Sequence, residues 1–213
     1  MDLTRDPEFE IFYHKYLDWF NQNCHFDLYW LGRPIRKNPF DAWVYQEIIS
    51  STKPTLIIEI GNKFGGSTLF LANILDSLNC GRIIGVDITH DGVKDLQHPR
   101  IQWITGDATS QEVLEKITKE ISNDDRIMII EDASHEYLAT LKILELYSPL
   151  ITPGLYFIIE DGICKEDYIN GPKPGPIEAI HQFLKTNSDF TIDKKMEKFI
   201  FTYNPDGFLK KLQ

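Results

Sequence analysis

Residues 55–67, TLIIEIGNKFGGS, decide the fold of this chain. The stretch begins with the aliphatic run LIIEI, which predicts a strand buried on both faces. A polar turn with three glycines follows, and after it LFLANILDSL has the spacing of an amphipathic helix. A buried strand, a glycine-rich turn and a helix in this order indicate the first unit of a nucleotide-binding α/β sheet.

The glycines of this turn limit what can bind there. They let the backbone approach a ligand closely, and the next helix offers it unpaired N–H groups. A dinucleotide site normally has G-x-G-x-x-G, but Lys63 stands two residues after the first glycine. The turn suits S-adenosylmethionine (SAM), which carries no phosphate, although a turn that needs glycine only for its shape is the alternative. The residues predicted to bind SAM here are Glu59, Gly61, Gly65, Gly66 and Ser67.

Length and composition limit the class of protein. The 213 residues suit one α/β domain, and a formal charge of −10 argues against nucleic acid or an anionic membrane as a partner. No apolar run is long enough to span a bilayer, and MDLTRDPEFE does not resemble a signal peptide. The three cysteines, Cys24, Cys80 and Cys164, lie far apart, as reduced thiols of a cytoplasmic protein do.

The chain before residue 51 differs from the part that follows. Residues 8–21 place aromatic side chains at helical spacing, which predicts a helix packed on the main domain. YWLGRPIRKNPFD then predicts an extended segment, and AWVYQEIIS predicts a second helix. No repeat or low-complexity tract marks a boundary, so we expect one domain over residues 1–213, with a Rossmann-like core over 51–213.

Further strands alternate with helices along the rest of the chain. Strands are predicted at Arg82–Asp87, Ile101–Thr105, 126–130 and in LYFIIED, and the segments FTIDKK and KFIFTYNPDG are predicted to form a closing antiparallel pair. This pattern predicts a doubly wound, Rossmann-like sheet of seven strands, mostly parallel with an antiparallel last strand, in an αβα three-layer arrangement.

An acid ends each of the five main strands, and parallel sheets bind ligands at that edge. Like charges held together are costly without a cation, so this edge predicts bound positive charge. Asp87 lies about twenty residues beyond the glycines, where an acid accepts hydrogen bonds from ribose hydroxyls and repels the 2′-phosphate of NADP. Asp107 could accept from an adenine amino group. The alternative for both is an exposed strand-end acid.

A second group of acids closes the fourth and fifth strands. Asp132, Glu160 and Asp161 are oxygen ligands of the kind that Mg²⁺ prefers. His135 lies three residues after Asp132 and could act as a general base, with Asp132 beside it in the catalytic site. The alternative is that His135 lies at a helix N-terminus and has no chemical role. The remaining histidines are interpreted as surface or packing residues: His14, His25, His90, His98 and His181.

Several stretches together resemble the cephalosporin hydroxylase-like family, which despite its name has the class I SAM-dependent methyltransferase fold. They are YWLGRPIRKNPFDAWVYQEII, KPTLIIEIGNKFGGSTLFLA, IIGVDI, HPRIQWITGDA, DASHEY and YFIIEDG. The family is similar to macrolide-sugar and rhamnosyl O-methyltransferases. The resemblance implies that Asp87 is the ribose acid, that Asp132, Glu160 and Asp161 hold magnesium, that His135 is the base, and that residues 30–39 cover the cofactor pocket.

The sequence therefore predicts a SAM-dependent, Mg²⁺-dependent O-methyltransferase. Its expected substrate is a small hydroxylated molecule, such as a sugar or a natural product, and homo-oligomerisation is left open. One alternative is a nicotinamide-dependent oxidoreductase, which the broken glycine pattern disfavours. Others are an iron hydroxylase, disfavoured because two histidine ligands are lacking, and a non-catalytic SAM- or nucleoside-binding protein of the same fold.

Overall fold

A computed structural model describes residues 7–163, 166–167 and 171–212 of the chain. Its main sheet has seven strands in the order β3-β2-β1-β4-β5-β7-β6. The strands are β1 (Leu56–Ile60), β2 (Arg82–Asp87), β3 (Ile101–Thr105), β4 (Ile127–Glu131), β5 (Tyr156–Ile159), β6 (Phe190–Ile192) and β7 (Phe208–Lys211). The first five are parallel, whereas β7 runs antiparallel to both β5 and β6. The predicted mostly parallel sheet with an antiparallel last strand is confirmed.

Six α-helices accompany the sheet among the described residues. They are α1 (Pro7–Asn23), α2 (Pro39–Thr52), α3 (Gly66–Ser77), α4 (Gln111–Lys119), α5 (Tyr137–Tyr147) and α6 (Pro176–Thr186). Local sequence signals set several of their starts. The side chain of Asn38 caps α2, in which proline occupies the first position, and the side chain of Ser110 caps α4. Helix α2 packs on α3, and α5 packs on α6.

The strand order explains where a ligand can bind. From β1 the chain moves outward through β2 to β3, and then returns to place β4 on the other side of β1. Because crossovers between parallel strands are right-handed, this reversal puts the later helices on the opposite face of the sheet. The loops after β1 and β4 therefore leave the sheet in opposite directions, and a crevice opens between them.

The central strands are buried throughout their length. Every residue of β1 and β4 is buried, as expected for a sheet covered on both faces. Large side chains fill the space between the sheet and its helices, among them Tyr45, Tyr147, Phe157 and Phe208. Two carboxylates interrupt this core, Glu59 in β1 and Glu131 in β4. An ionised group in such a place requires hydrogen-bonding partners, which Glu59 has in the turn described below.

The aromatic face of α1 packs where the sequence predicts, against a loop of the main domain. Phe201 stacks on Tyr13 with ring centroids 5.6 Å apart, and its centroid lies 4.7 Å from that of Tyr16. Phe20 makes an edge contact with Tyr203. The helix is thus held by aromatic contacts in a small cluster of its own, beside the main core.

The predicted closing pair is wrong in its second strand. Only 190–192 of the first segment pairs, and its partner is Phe208–Lys211 rather than KFIFTYNPDG. The alternating aromatic residues of that segment suggested a strand, but Phe201 packs on α1 instead. The backbone N–H of Tyr203 donates to the buried Asp41 at 2.8 Å, and the Thr202 hydroxyl donates to the same carboxylate.

Two further observations concern the cysteines and the helices. Cys24 and Cys80 are free thiols, and Cys164 lies outside the described residues. Within the described ranges, none of the helices combines the length and the apolar character that a membrane crossing requires.

Candidate active site

The turn after β1 has room only for glycine at its first position. Gly61 has a φ of +90°, and a Cβ atom there would lie 1.9 Å from the backbone oxygen of Asp132. The backbone N–H of Asp132 donates to Ile60 at 2.8 Å, and Gly61 donates to Val86 at 2.8 Å. The turn is therefore pressed against the end of β4, at the point where the crevice opens.

Glu59 lies beneath this turn and stabilises it through hydrogen bonds. Its carboxylate accepts hydrogen bonds from the hydroxyls of Ser67 and Thr68 and from the Asn62 side chain, the last at 2.8 Å. Burial raises the pKa of Glu59, while Lys37 and the two hydroxyls oppose that shift. Glu59 is predicted from the sequence to contact the cofactor, whereas in the structure its side chain is fully buried beneath the turn and does not line the cavity. The reason is that its three donors draw the carboxylate back toward the start of α3.

The paired glycines have different roles. Gly65 precedes α3 with a φ of +74°, and the side chains of Val93 and Leu96 occupy the space beside it, so it shapes the turn without reaching the cavity. Gly66 lines the cavity, and a Cβ atom there would lie 2.1 Å from the backbone oxygen of Pro34. Ser67 also lines the cavity, at the N-terminus of α3.

Asp87 joins the end of β2 to the glycine-rich turn. Its Oδ2 atom accepts from the backbone N–H groups of Asn62 at 2.8 Å and Lys63 at 2.9 Å. Its Oδ1 atom has a longer contact, 3.4 Å, from the backbone N–H of Thr89. Since Asp87 lines the cavity, Oδ1 has remaining capacity to accept from a ligand hydroxyl.

Asp107 lies at the far side of the same cavity. Its Oδ1 atom accepts from both the backbone N–H and the hydroxyl of Thr109, each at 2.8 Å. Within the described part of the chain this local turn engages only Oδ1, so Oδ2, on an exposed side chain at the cavity edge, has capacity to accept from a ligand. The position is compatible with the predicted contact to an adenine amino group and does not test it.

The turn after β1, Asp87 and Asp107 all line one cavity of about 780 Å³. Residues 31–38, which we call the covering segment, close one side of it through Pro34, Ile35 and Arg36. The guanidinium of Arg33 holds this segment to the turn by donating to Phe64 at 3.1 Å, and it forms an ion pair with Asp95 at 2.7 Å. The other walls come from the ends of the strands: Gly61, Asp87, Gly106, Asp107, Asp132 and Asp161.

An acid–histidine cluster lies at the β4 and β5 end of the cavity. Nε2 of His135 is 3.2 Å from Oδ2 of Asp161 and 3.9 Å from Oδ1 of Asp132. His135 and Asp161 have positive φ angles, +56° and +54°. Such conformations are costly for residues other than glycine and concentrate at functional sites. The predicted base therefore meets two of the three predicted metal ligands.

Glu160, the third predicted ligand, has a different partner. Its carboxylate bonds to the ammonium of Lys37, whose Nζ also lies 3.0 Å from Oδ2 of Asp132. Glu160 is 4% exposed and does not line the cavity, and its role as a metal ligand stays a prediction that requires its release from Lys37. A buried carboxylate needs a counter-charge, and the covering segment supplies one.

The charges of this cluster shift one another's proton affinity. Burial raises the pKa of Asp161 to about 6, with a further contribution from Asp132 and opposition from His135. Burial and Asp132 also raise the pKa of Glu160, and Lys37 opposes that shift. Burial alone would lower the pKa of Lys37, but Asp132 and Glu160 outweigh it and raise that pKa well above its ordinary value. The ammonium therefore stays charged.

Sequence reasoning missed three residues of the site. Lys37 and Arg36 lie in RPIRKNP, which was noted for its prolines rather than its charges. The acids at the strand ends require positive charge nearby, and this requirement is the signal that could have identified Lys37. His25 was interpreted as a surface or packing residue, yet it lines the cavity, because the loop after α1 brings it beside Arg36 and Lys63. No local pattern marks that contact.

The residues present fit a divalent cation. Ligand atoms of Asp132, His135 and Asp161 all lie within 4.8 Å of one another. The two carboxylates are oxygen donors of the kind that hard divalent ions prefer, the imidazole of His135 lies beside them without being needed as a ligand, and the cavity leaves positions for water or substrate. Glu160 lies next to this set, bonded to Lys37.

Comparison with known proteins gives one family over nearly the whole chain. Residues 22–212 match the model of the family described as rhamnosyl O-methyltransferase/CmcI. The rhamnosyl O-methyltransferase of Mycobacterium leprae (strain TN) is 34% identical over 213 aligned positions, covering 92% of this chain and 88% of that protein.

Solved structures agree on the fold. A CmcI structure with Mg and SAM aligns with a TM-score of 0.69 at 20% identity, over 92% of this chain and 84% of that one. The MycE methyltransferase with Mg, S-adenosylhomocysteine (SAH) and mycinamycin VI aligns with a TM-score of 0.56 at 19% identity, over 79% and 48%. The family match confirms the methyltransferase class predicted from the sequence: this chain belongs to the rhamnosyl O-methyltransferase/CmcI family.

Proposed function

We propose that this protein is a SAM- and Mg²⁺-dependent O-methyltransferase that methylates a hydroxyl group of a small glycosylated or sugar-like molecule. The observation that carries the proposal is a single cavity that contains the glycine-rich turn, Asp87 and the acid–histidine cluster. A methyl donor and its acceptor must meet in one enclosed space, and a cavity of about 780 Å³ is within the range of roughly 300–1,000 Å³ common for ligand sites.

The donor would lie across the turn after β1. Asp87 accepts hydrogen bonds from the ribose hydroxyls through Oδ1, because Oδ2 is already engaged by two backbone N–H groups. Asp107 accepts from the adenine amino group, and Gly61 leaves space for the donor beside β4. The covering segment excludes water from this side of the cavity.

The acceptor would bring its hydroxyl to the β4 and β5 end of the cavity. His135 receives the hydroxyl proton, the oxygen forms a bond to the methyl carbon, and the carbon–sulfur bond of SAM breaks to leave SAH. Asp161, 3.2 Å from Nε2 of His135, orients the imidazole and stabilises the charge it gains. Holding the two reactants in line contributes roughly 7–11 kcal/mol to such a reaction.

The metal belongs to the same end of the cavity. Asp132 and Asp161 would hold it, with Glu160 as a third ligand once this carboxylate is free of Lys37. A bound divalent ion stabilises a deprotonated hydroxyl and so lowers its pKa. The support for magnesium is the donor set together with the Mg present in the CmcI and MycE structures.

The acceptor class rests on the relatives. The mycobacterial relative is named for a rhamnosyl group, and the MycE structure holds mycinamycin VI. Both relatives support the proposal that the methyl acceptor is a hydroxyl group of a glycosylated or sugar-like molecule. Net charge −10 remains an argument against a nucleic-acid acceptor.

Thermal-shift titration tests the proposal. SAM, SAH, NADH and NADPH are each added with and without Mg²⁺, and a ligand at a hundred times its Kd stabilises the folded state by about 2.7 kcal/mol. We expect SAM and SAH to raise the Tm and both nicotinamide cofactors to leave it unchanged. A rise with NADH and none with SAM would replace the methyltransferase by the oxidoreductase.

A further inference from the structure

The ammonium of Lys37 lies where the predicted metal ligands converge. Its Nζ is 3.0 Å from Oδ2 of Asp132 and bonds directly to Glu160, and its side chain is 2% exposed. A cation that binds these two carboxylates would have to approach within a few ångströms of Nζ. Two positive charges that close together repel each other strongly where water is largely excluded, and a divalent ion doubles the repulsion that a monovalent ion would have.

We propose that Lys37 is an internal cation that competes with the divalent metal for Asp132 and Glu160. The inference rests on the proposed function, because it concerns the same metal. In the metal-free protein Lys37 neutralises the pair; when the metal binds, Glu160 and Asp132 exchange the ammonium for the ion, and the Lys37 side chain leaves the site.

Charge balance favours this exchange. Asp132, Glu160 and Asp161 carry three carboxyl groups at one end of the cavity, and Lys37 is a single positive charge among them. A divalent ion compensates them better than one ammonium does, whereas loss of Lys37 without a replacement would leave Glu160 buried and unpaired. Lys37 therefore protects the empty site against the repulsion between its own acids.

The structure also allows the side chain of Lys37 to move alone. On one side of it Arg33 anchors the covering segment to the backbone oxygens of Phe64 and Gly92. On the other side Asn38 caps α2 and contacts the backbone oxygen of Phe201. Only the flexible four-carbon stem of the lysine has to change its rotamer. The covering segment can thus stay closed over the cofactor cavity during the exchange.

Mn²⁺ binding measured by electron paramagnetic resonance, on protein stripped with EDTA, tests the inference without an activity assay. Lys37→Met removes the charge at similar length, and Lys37→Arg keeps the charge. Lys116→Met is the matched control, because it removes an exposed ammonium from its ion pair with Glu112. We expect Lys37→Met to bind Mn²⁺ at least about tenfold more tightly than the wild type, and Lys37→Arg and Lys116→Met to show no gain.

A second measurement uses the wild-type protein and does not depend on how the variants fold. Acetylation by N-hydroxysuccinimide acetate, read by peptide mass spectrometry, reports whether the Lys37 amine is accessible. We expect Lys37 to be protected in EDTA and modified at saturating Mn²⁺. Lasting protection at saturating Mn²⁺ would overturn the inference.

The outcomes separate this inference from the proposed function. Equal or weaker Mn²⁺ binding by Lys37→Met, with a wild type that binds the ion, overturns the competition alone and leaves the metal-dependent methyltransferase in place. If the wild type and all three variants bind no Mn²⁺, the inference fails together with the metal of the proposed function. SAM titration of the same samples then reports whether the methyl donor remains.

Discussion

The Oδ2 atom of Asp87 lies 2.8 Å from the backbone nitrogen of Asn62, so the acid at the end of β2 holds the turn that follows β1. The same oxygen accepts from the backbone N–H of Lys63, a residue with a φ of +46°. This carboxylate stabilises a left-handed conformation that costs free energy in a residue other than glycine. Asp87 therefore shapes the turn, and its second oxygen remains for the ribose.

Substitution of Asp87 should separate these two contributions. Asp87→Asn retains an oxygen for the backbone N–H groups but lacks the charge, whereas Asp87→Ala loses both. Hydrogen bonds to charged groups contribute about 1.5–3 kcal/mol, so we expect Asn to weaken SAM binding by roughly tenfold or more with little loss of stability. Ala should also lower the free energy of unfolding by about 1–3 kcal/mol. Isothermal titration with SAM and urea unfolding measure the two effects; wild-type SAM affinity in the Asn variant would rule out the ribose contact.

Gly61→Ala should disrupt the crevice. The added methyl group would collide with the backbone oxygen of Asp132, 1.9 Å away, in addition to the strain of a φ of +90°. Gly154→Ala is a matched control, because Gly154 has a φ of +85° with nothing within 4 Å of its Cβ position. We expect Gly154→Ala to cost about 1 kcal/mol and Gly61→Ala at least about 2 kcal/mol more, with loss of SAM binding. Similar free energies of unfolding for the two variants would show that the turn accommodates the added methyl group without loss of stability.

The acid–histidine cluster should matter for turnover more than for SAM binding. Asp132→Asn and Asp161→Asn remove carboxylates from the predicted metal ligands while leaving the turn after β1 intact. We expect at least about a hundredfold loss of methyl transfer with SAM affinity changed only a few-fold. Equal loss of turnover and of SAM binding would instead mean that these acids are structural.

His135→Ala should slow methyl transfer by about 10²–10⁴-fold and leave Mn²⁺ affinity close to that of the wild type. His181→Ala is its control, because His181 forms an ion pair with Asp206 at 2.8 Å on an exposed side chain. Turnover that does not change in His135→Ala at any pH would remove the base assignment.

Asp41 should make stability depend on pH. Burial raises the pKa of Asp41 to about 6, against the opposing bonds from Thr202 and Tyr203. Its folded pKa lies above the unfolded value, so the contribution to stability is complete below about pH 4 and is lost as the pH rises through about 6. At about 1.4 kcal/mol for each pKa unit, the loss approaches about 3 kcal/mol.

Urea unfolding of Asp41→Asn between pH 4 and pH 7 measures this effect. The variant should be less stable than the wild type at pH 4, and the difference should narrow as the pH rises. Asp124→Asn removes an exposed acid and controls for net charge. A constant difference across the range would mean that Asp41 is ionised in the folded protein throughout.

Local sequence patterns are enough to predict the sheet and the edge at which the site lies. Strands β2 and β3 begin and end where the sequence predicts, because a short run rich in β-branched residues and bounded by glycine or an acid is a local signal. The acids near the ends of the strands, Glu59 in β1, Asp87 in β2 and Asp132 directly after β4, follow from the same pattern. The closing strand could not be predicted in this way, since Phe201 and Tyr203 found partners in α1 that are more than 180 residues away in the chain.

Which of those acids face the cavity depends on contacts that form when distant parts of the chain come together. The carboxylate of Glu59 accepts from the hydroxyls of Ser67 and Thr68. The carboxylate of Glu160 accepts from the ammonium of Lys37, which lies 123 positions earlier in the chain. Strand patterns indicate where a backbone ends, but the partner of a buried charge depends on which distant donor the fold brings within hydrogen-bond distance. Burial makes an unpaired charge so costly that this donor, rather than the strand, sets the direction of the side chain.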